Sequence, residues 1–473
     1  MQVHLFISHF KQDKKRNYKY FIEIAALVIF LVLGKQLLEY MLINDAGTFE
    51  RILMNDFYTN EENIDNLYLG TSHVFCDLNP EILDDINGEN NFNLATSAQP
   101  LIASYYLLKE ADKMNSLSHV YLDLNYSFVI ASDETSGDMK QLNMMVTSWQ
   151  VLNQMKFSKN KLQWILESTE PRYLYLSMFP PLQYKKDLLN FDYLGDQLYN
   201  KAQVDYLTYN DYASYTHKGY AHGEHMVTEP YCATKYRSTL RNLRISEQAK
   251  EYLVKIIDYC NENDILLTLY ASPVTDYILC VSGEYDDFVK QMKEFAASYG
   301  LEYYDFNLCK KEYLDIGDNH YWSDNNHMNA FGAEVYTNAF GNFFKNISNG
   351  EIQSEFFYES YQQKLDDIDE QIFGVVIEEI NDEKFAEYSY LLNGIDSAEW
   401  RVFLLSTVDN LRNDKAEFYV YQIDQDTGEA ICVQDWSDNN MYVFPQNIET
   451  GQIYAKVRMS ETKQEYGEVS INY

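Results

Sequence analysis

The sequence predicts an α/β protein: a three-layer, parallel-sheet domain preceded by an N-terminal transmembrane helix and followed by an all-β sandwich. Three observations carry that expectation. A basic segment leads into an apolar run near the start. Short apolar runs then alternate with amphipathic helical stretches, and closely spaced strand-like runs without helical period fill the end.

The first element is the apolar run. Lys11, Lys14, Lys15, Arg16 and Lys19 precede the almost wholly apolar Phe21–Gly34, and apolar character resumes after Lys35 and Gln36 with Leu37, Leu38 and Met41–Ile43. A perpendicular span needs about 20 residues, so a helix over residues 18–43 is expected after a basic tail of residues 1–17. No small-residue cleavage pattern follows it, which favours an uncleaved signal-anchor over a secretory leader. The positive-inside rule then keeps the tail in the cytoplasm and predicts a single-pass cell-membrane protein with its main part extracellular.

Residues 60–350 form the next unit. Candidate strands are Leu67–Leu69, Val120–Leu124, Tyr173–Leu176, Ile265–Tyr270 and Tyr303–Phe306. Between them Pro100–Lys113 and Ser246–Glu262 carry apolar residues at helical spacing, the second through Ala249, Leu253, Ile256, Ile257 and Cys260. Such alternation implies a parallel sheet covered by helices on both faces, with ligands at the carboxyl ends of the strands. Gln183–Arg244 is rich in Tyr, Asp and Asn and poorly periodic, and reads as an insertion or lid.

Ser354–Asp369 reads as a polar, acidic connector. Residues 370–473 then repeat short strand-like runs: Gln371–Ile377, Arg401–Ser406, Glu417–Gln422, Met441–Phe444 and Gln452–Val457. Turn residues such as Asp426–Gly428 and Thr450–Gly451 separate them, as in a small antiparallel sandwich. An accessory domain of this kind suits glycan binding or the holding of a partner.

Composition narrows the function classes. The 473 residues leave room for more than one domain, and 46% hydrophobic content is too low for a polytopic membrane protein. A net charge of −35 excludes a general nucleic-acid binder, because phosphate backbones are held by Lys and Arg in excess. The 42 tyrosines either fill strands and half-buried surfaces or line a sugar-binding groove. The six cysteines, Cys76, Cys232, Cys260, Cys280, Cys309 and Cys432, form no C-x-x-C pair, which argues against a structural zinc site and a dense disulfide scaffold.

Two segments carry candidate chemistry. Leu67–Leu69 runs straight into Gly70-Thr71-Ser72-His73. The glycine permits a sharp turn, the strand end presents the serine hydroxyl, and backbone N–H groups at the next helix start can hold an oxyanion. Far later, Asp324-Asn325-Asn326-His327-Met328-Asn329-Ala330-Phe331-Gly332 enters a helical stretch, Ala330–Ile347. An Asp three residues before a His can fold back onto one ring nitrogen while the other faces a serine. The competing reading makes Asp324 a helix cap and His327 an ordinary surface residue.

Together, the early strand–G-T-S-H turn and the late D-x-x-H-x-N-x-x-G resemble the SGNH/GDSL hydrolases. Within them they look like the membrane-anchored branch that includes the D-alanine transfer protein of teichoic acids and the alginate-type O-acetylation proteins. The resemblance covers roughly residues 60–347. It implies a three-layer SGNH-like fold, with Ser72 as nucleophile, His327 as general base and Asp324 as its orienter. The chain departs from the family at Thr71, where an Asp often precedes the Ser, and it lacks the G-x-N-D block whose Asn binds the oxyanion. Asn91–Gln99 resembles the N-L-x-x-S-x-Q run of anchored relatives, which points to Asn93 and Gln99 as side-chain donors beside the backbone N–H of His73.

Three further groups complete the reading. His217, His222 and His225 match no standard zinc spacing, and no metal or other cofactor is expected. Asp318, His320, Tyr321 and Trp322 are expected to shape the pocket wall. Ser272-Pro273-Val274-Thr275-Asp276 ends a strand at the site's edge, either contacting substrate or forming a plain proline turn, with the turn preferred.

The resulting expectation is serine-dependent O-acyl transfer, preferably of acetyl, to or from an extracellular cell-surface polysaccharide through an acyl-serine. The resemblance implies a polytopic membrane O-acyltransferase partner that supplies the acyl group. The competitors are a deacetylating carbohydrate esterase and a catalytically silent glycan-binding or scaffold protein.

Overall fold

The computed structural model describes residues 2–124, 129–131, 148–203, 208–210, 213–223, 225–228, 231–233, 244–351, 355–380, 400–412, 415–423, 427–445 and 452–472. Helix α1 (Gln2–Leu42) opens the chain. Its 23-residue stretch Tyr20–Leu42 has a mean hydropathy of 2.2, long and apolar enough to cross a membrane, and none of its most apolar window is buried in the protein. Lys35, the cation inside that stretch, pairs with Glu39 one turn on, which lowers the cost of both charges there.

Five strands build the central sheet: β1 (Asn66–Leu69), β2 (Asn91–Asn93), β3 (His119–Asp123), β4 (Leu266–Ala271) and β5 (Tyr303–Asp305). Their order is β5-β4-β3-β1-β2 and every neighbour pair is parallel. Leu67 stands opposite Phe92 on one side and Val120 on the other, and Val120 opposite Leu267. All four residues of β1 are buried, as expected of a strand covered on both faces.

Parallel crossovers are right-handed as a rule, which puts α2 (Ser72–Asp77) and α3 (Pro80–Asn87), between β1 and β2, on one face. The later crossover helices α4 (Leu101–Asp112), α6 (Glu247–Glu262) and α7 (Tyr285–Ser298) then lie on the other, while α5 (Phe191–Gln203) stands apart at the end of α1. The packing agrees: α8 (Ala330–Ser348) lies on α2 and α3, and α4 packs with α6. One tyrosine from each of three neighbouring strands meets α8, where Phe340 lies 6.1, 5.7 and 5.1 Å from the rings of Tyr68, Tyr121 and Tyr270. Much of the tyrosine is therefore core: Tyr68, Tyr106, Tyr270 and Tyr336 are fully buried.

The helices expected over Pro100–Lys113, Ser246–Glu262 and Ala330–Ile347 are present, and Ser246 caps α6 by accepting the Ala249 N–H. Tyr173–Leu176 is not a strand. Pro171 opens a 3₁₀ turn (Pro171–Tyr173) that continues into the helix Leu174–Met178, because a proline at a first helical position loses no hydrogen bond there. The Ser354–Asp369 connector is also more than a polar spacer. From residue 355 on it docks on the α/β core: Phe356, Tyr358 and Tyr361 are buried, and Tyr358 N–H donates to Leu308 O at 2.8 Å. Its aromatic rings outweigh its acids.

The C-terminal part forms two sheets. One joins β6 (Ile372–Glu379), β7 (Trp400–Asp409) and β10 (Met441–Pro445) in the order β10-β7-β6; the other joins β8 (Ala416–Ile423), β9 (Ala430–Ser437), β11 (Gln452–Met459) and β12 (Glu465–Asn472) in the order β9-β8-β11-β12. These pairings are antiparallel. Phe403 and Leu405 of the first sheet share one hydrophobic cluster with Val420, Ile453 and Val457 of the second. A short strand from the middle segment, Tyr231–Ala233, adds to the edge of β6 in parallel, a pairing with no signature in local sequence.

Candidate active site

Ser72 is the first residue of α2, immediately beyond the carboxyl end of β1. The turn between them needs a glycine. Gly70 has φ +156°, and a Cβ there would meet Val74 Cγ2 at 2.5 Å and Asp123 Cβ at 2.7 Å. The strand order also reverses at β1, with β2 on one side and β3, β4 and β5 on the other, which opens a crevice at this end of the sheet.

The second half of the site is a tight loop. Trp322 and Met328 form an antiparallel bridge, and Ser323 N–H donates to His327 O at 2.9 Å, so residues 323–327 close on themselves. Asn329 explains the next part of the motif: its Oδ1 caps α8 by accepting the N–H groups of Phe331 and Gly332, each at 3.0 Å, while its Nδ2 donates to His320 O at 2.6 Å. Gly332 lets that helix start approach the preceding loop, since a Cβ would lie 2.2 Å from Tyr321 O.

The two halves meet. Ser72 Oγ and His327 Nε2 are 2.7 Å apart, and His327 Nδ1 lies 2.9 and 3.1 Å from Asp324 Oδ2 and Oδ1. Asp324 Oδ1 also accepts the backbone N–H groups of Asn326 (2.7 Å) and His327 (2.9 Å). Partial burial works to raise the Asp324 pKa, but the His327 ring and these two N–H groups outweigh it and hold the carboxyl below the usual carboxylate range. A carboxylate at Nδ1 puts the imidazole proton there and leaves Nε2 to accept from Ser72.

The His327 ring stacks on His73, with centroids 5.1 Å apart, and His73 Nδ1 bonds Thr71 Oγ1 at 2.8 Å. Burial, with the nearby His327 ring, pulls the His73 pKa down to about 3, so a neutral ring lies beneath His327 throughout the working range of a histidine base. The backbone of His73 occupies the second position of α2.

Sequence reasoning proposed Asn93 and Gln99 as further donors. Asn93 is buried at the end of β2, where its Nδ2 donates to Val74 O at 2.8 Å and its Oδ1 accepts the Ala95 N–H at 3.1 Å. Gln99 is buried too, accepting from Thr96 Oγ1 and donating to Ser104 Oγ, each at 2.9 Å. These bonds give both side chains a framework role, tying the loop after β2 together and, through Asn93, to α2.

Ser272–Asp276 does more than turn the chain. Thr275 Oγ1 donates to Asn325 O at 2.8 Å, so this turn holds the outer edge of the triad loop. It is held in turn by Asp123 Oδ1 on Ser272 N–H (2.7 Å) and by Asn307 Oδ1 on Val274 N–H (2.8 Å). His320 and Tyr321 line a cavity of about 840 Å³ together with Tyr313 and Phe331, whereas Trp322 is buried with its indole N–H on Ile316 O. Neither Ser72 nor His327 belongs to that cavity's lining. The three histidines of the middle segment have separate partners: His217 bonds Glu81, His222 stacks on Tyr220, and His225 O accepts from Ser323 Oγ.

One residue escaped the sequence reading. Asp77, at the end of α2, is fully buried, and its Oδ1 accepts the Met328 N–H at 2.9 Å. Its signal was an acid set in the apolar run Val74-Phe75-Cys76-Asp77-Leu78.

In comparisons with known proteins, no family model and no curated protein matches this chain.

Proposed function

We propose that the protein is a membrane-anchored serine acyltransferase that moves an acyl group, acetyl by preference, onto a hydroxyl of an extracellular cell-surface polysaccharide. One observation carries the reading: the unbroken chain from Ser72 Oγ to His327 to Asp324, at 2.7 and 2.9 Å, at the carboxyl end of a parallel-sheet strand. The same residues carry the resemblance to the SGNH/GDSL hydrolases.

His327 Nε2 takes the proton of Ser72 as Oγ attacks the acyl carbonyl, and the imidazolium formed is stabilised by Asp324. The tetrahedral oxyanion is met by the backbone N–H of His73. His327 returns the proton to the leaving oxygen, which gives acyl-Ser72. A sugar hydroxyl then loses its proton to His327 and attacks the acyl carbonyl, and His327 passes that proton to Ser72 Oγ as the serine leaves. Water in place of the sugar would make the protein a deacetylating esterase.

For location, α1 acts as an uncleaved signal-anchor. The hydropathy of Tyr20–Leu42 and the five basic residues before that stretch support a cytoplasmic N-terminus and an outward-facing remainder. In that setting the acyl donor is a polytopic membrane O-acyltransferase, and the two C-terminal sheets, as a sandwich, engage glycan or partner.

The test incubates the full chain with p-nitrophenyl acetate and a polysaccharide acceptor, comparing wild type with Ser72→Ala. Wild type should acquire one acetyl group on Ser72 and pass it to the acceptor. Equal turnover in the two proteins removes the serine mechanism, and hydrolysis without acylated polysaccharide replaces the transferase with the esterase.

A further inference from the structure

We propose that α5 and the loop before it form an interfacial face that rests in the headgroup region of the bilayer at the point where α1 leaves it. The inference rests on the reading of α1 as a membrane span.

Helix α5 has its polarity inverted for a helix in water. Tyr193, Gln197 and Lys201, four residues apart, turn inward to the carboxyl end of α1. Tyr193 OH donates to Leu42 O at 2.8 Å, Gln197 Nε2 to Asn44 Oδ1 at 3.2 Å, and Lys201 Nζ to Tyr40 O and Ile43 O at 2.7 and 2.6 Å. The last carbonyls of any helix have no partner within it, and here the Lys201 ammonium, held also by Asp45 at 2.8 Å, supplies one. The inward face thus makes polar contacts, with Leu194 buried beside them.

The outward side is mixed. Phe191, Gly195, Leu198 and Ala202 recur at i, i+4, i+7 and i+11, forming one uncharged stripe that is exposed along its length and bordered by the exposed Asp192 and Asp196. Phe191 is 79% exposed, and Tyr199 beside the stripe is 66% exposed. The loop before the helix adds Leu189 at 79%. An apolar stripe on a water-bathed helix belongs against the core; this one turns away from it.

Two observations identify the occupant as lipid. The stripe sits on the helix clamped to residues 40–45, so it stands where the exposed apolar surface of α1, with Phe30, Leu33, Leu37 and Tyr40, comes to its end. The charge is also less acidic here than elsewhere: between Trp149 and Gln203 seven Lys and Arg stand against five Asp and Glu, of which Asp187, Asp192 and Asp196 border the face itself, in a chain whose net charge is −35. Lys185 and Lys186, both exposed, adjoin Leu188 and Leu189. Basic residues beside an exposed apolar stripe are what a membrane-surface helix presents. Docked this way, the face fixes the tilt of the Ser72 domain above the bilayer, where a single span alone would let it swivel.

The experiment uses the full chain in phosphatidylcholine–phosphatidylglycerol vesicles with and without brominated acyl chains. Leu189→Trp and Phe191→Trp report on the face, and Leu31→Trp reports on α1. The added emission of Leu189→Trp and Phe191→Trp should fall by roughly half in brominated vesicles, because an interfacial face lies ~5–10 Å into the headgroup–acyl boundary. Quenching of Leu31→Trp without quenching of the other two leaves the anchor standing and overturns the face. No quenching at any position removes the anchor, and the proposal with it. Cross-linking of Leu189→Cys to a second polypeptide in native membranes, without lipid quenching of Leu189→Trp, assigns the face to a protein partner and overturns the lipid assignment.

Discussion

Asp77 and Met328 are 251 positions apart, and a 2.9 Å bond from the Met328 N–H to Asp77 Oδ1 ties the helix that starts at Ser72 to the loop that holds His327. A second bond, from Thr337 Oγ1 to Asp77 O at 3.2 Å, fastens the same point to α8. Ser72 and His327 therefore share one buried anchor.

The anchor is a buried acid whose second oxygen, Oδ2, has no partner among the described residues. Burial raises its pKa well above the ordinary 3.8, with Asp123 and Asp324 adding to the effect and the Met328 N–H opposing it. The folded state thus holds a proton that the unfolded chain has already released. Stability from this group is complete below the ordinary value and falls as pH rises above it. Asp77→Asn cannot ionise and keeps an oxygen for Met328. Its stability advantage over wild type should grow from about pH 4 upward, by at most about 1.4 kcal/mol per pH unit for one proton. Unfolding midpoints across pH check this; a constant difference would mean that Asp77 is ionised in the native state.

Asp324→Asn removes the carboxylate that fixes the His327 tautomer. An amide at that position can donate to Nδ1 and turn the imidazole proton toward Ser72, so kcat on an activated ester should fall by roughly 10³–10⁴ with the fold intact. A loss below tenfold would remove Asp324 from the triad.

Thr275→Val deletes the hydroxyl that holds Asn325 O. A neutral hydrogen bond contributes about 1 kcal/mol, so stability should fall by about that amount. The larger effect is expected in kcat, about tenfold lower with KM little changed, because the triad loop loses its outer support. Steady-state kinetics beside thermal unfolding separate the two effects, and unchanged kcat would leave Thr275 a purely local turn residue.

Gly332→Ala places a methyl group 2.2 Å from Tyr321 O, against backbone that has no flexible end to move aside. Overpacking of this kind costs typically 1–3 kcal/mol, and here the shift falls on the loop carrying His327. The midpoint of unfolding should drop and ester turnover with it. An unaltered midpoint would show that the α8 start tolerates displacement.

Much of the architecture was legible in the chain. β1, β3, β4 and β5 announce themselves as short apolar runs, because strands buried on both faces must be apolar throughout. The helices α4, α6 and α8 show helical spacing. β2 is three residues, two of them asparagine, and it exists because β1 offers an edge to pair with. β9 is largely exposed and carries no alternation, so only its ladder to β8 defines it. Tyr173–Leu176 misled because a short apolar run reads equally as strand or helix.

The sequence by itself determined the chemistry available: a serine after a strand and glycine, an Asp three residues before a His, and an apolar helix behind a basic flank. Tertiary structure decided which atoms meet. The 2.7 Å between Ser72 and His327 depends on Asp77, Thr275, Asn329 and Gly332 holding a five-residue loop in one shape, and the contacts of Asp77 and Thr275 reach that loop from 251 and 50 positions away. The inverted face of α5 is likewise invisible until its polar side is seen clamped to the end of α1. Local sequence sets what a residue can do; which partner it reaches is fixed only when distant segments pack.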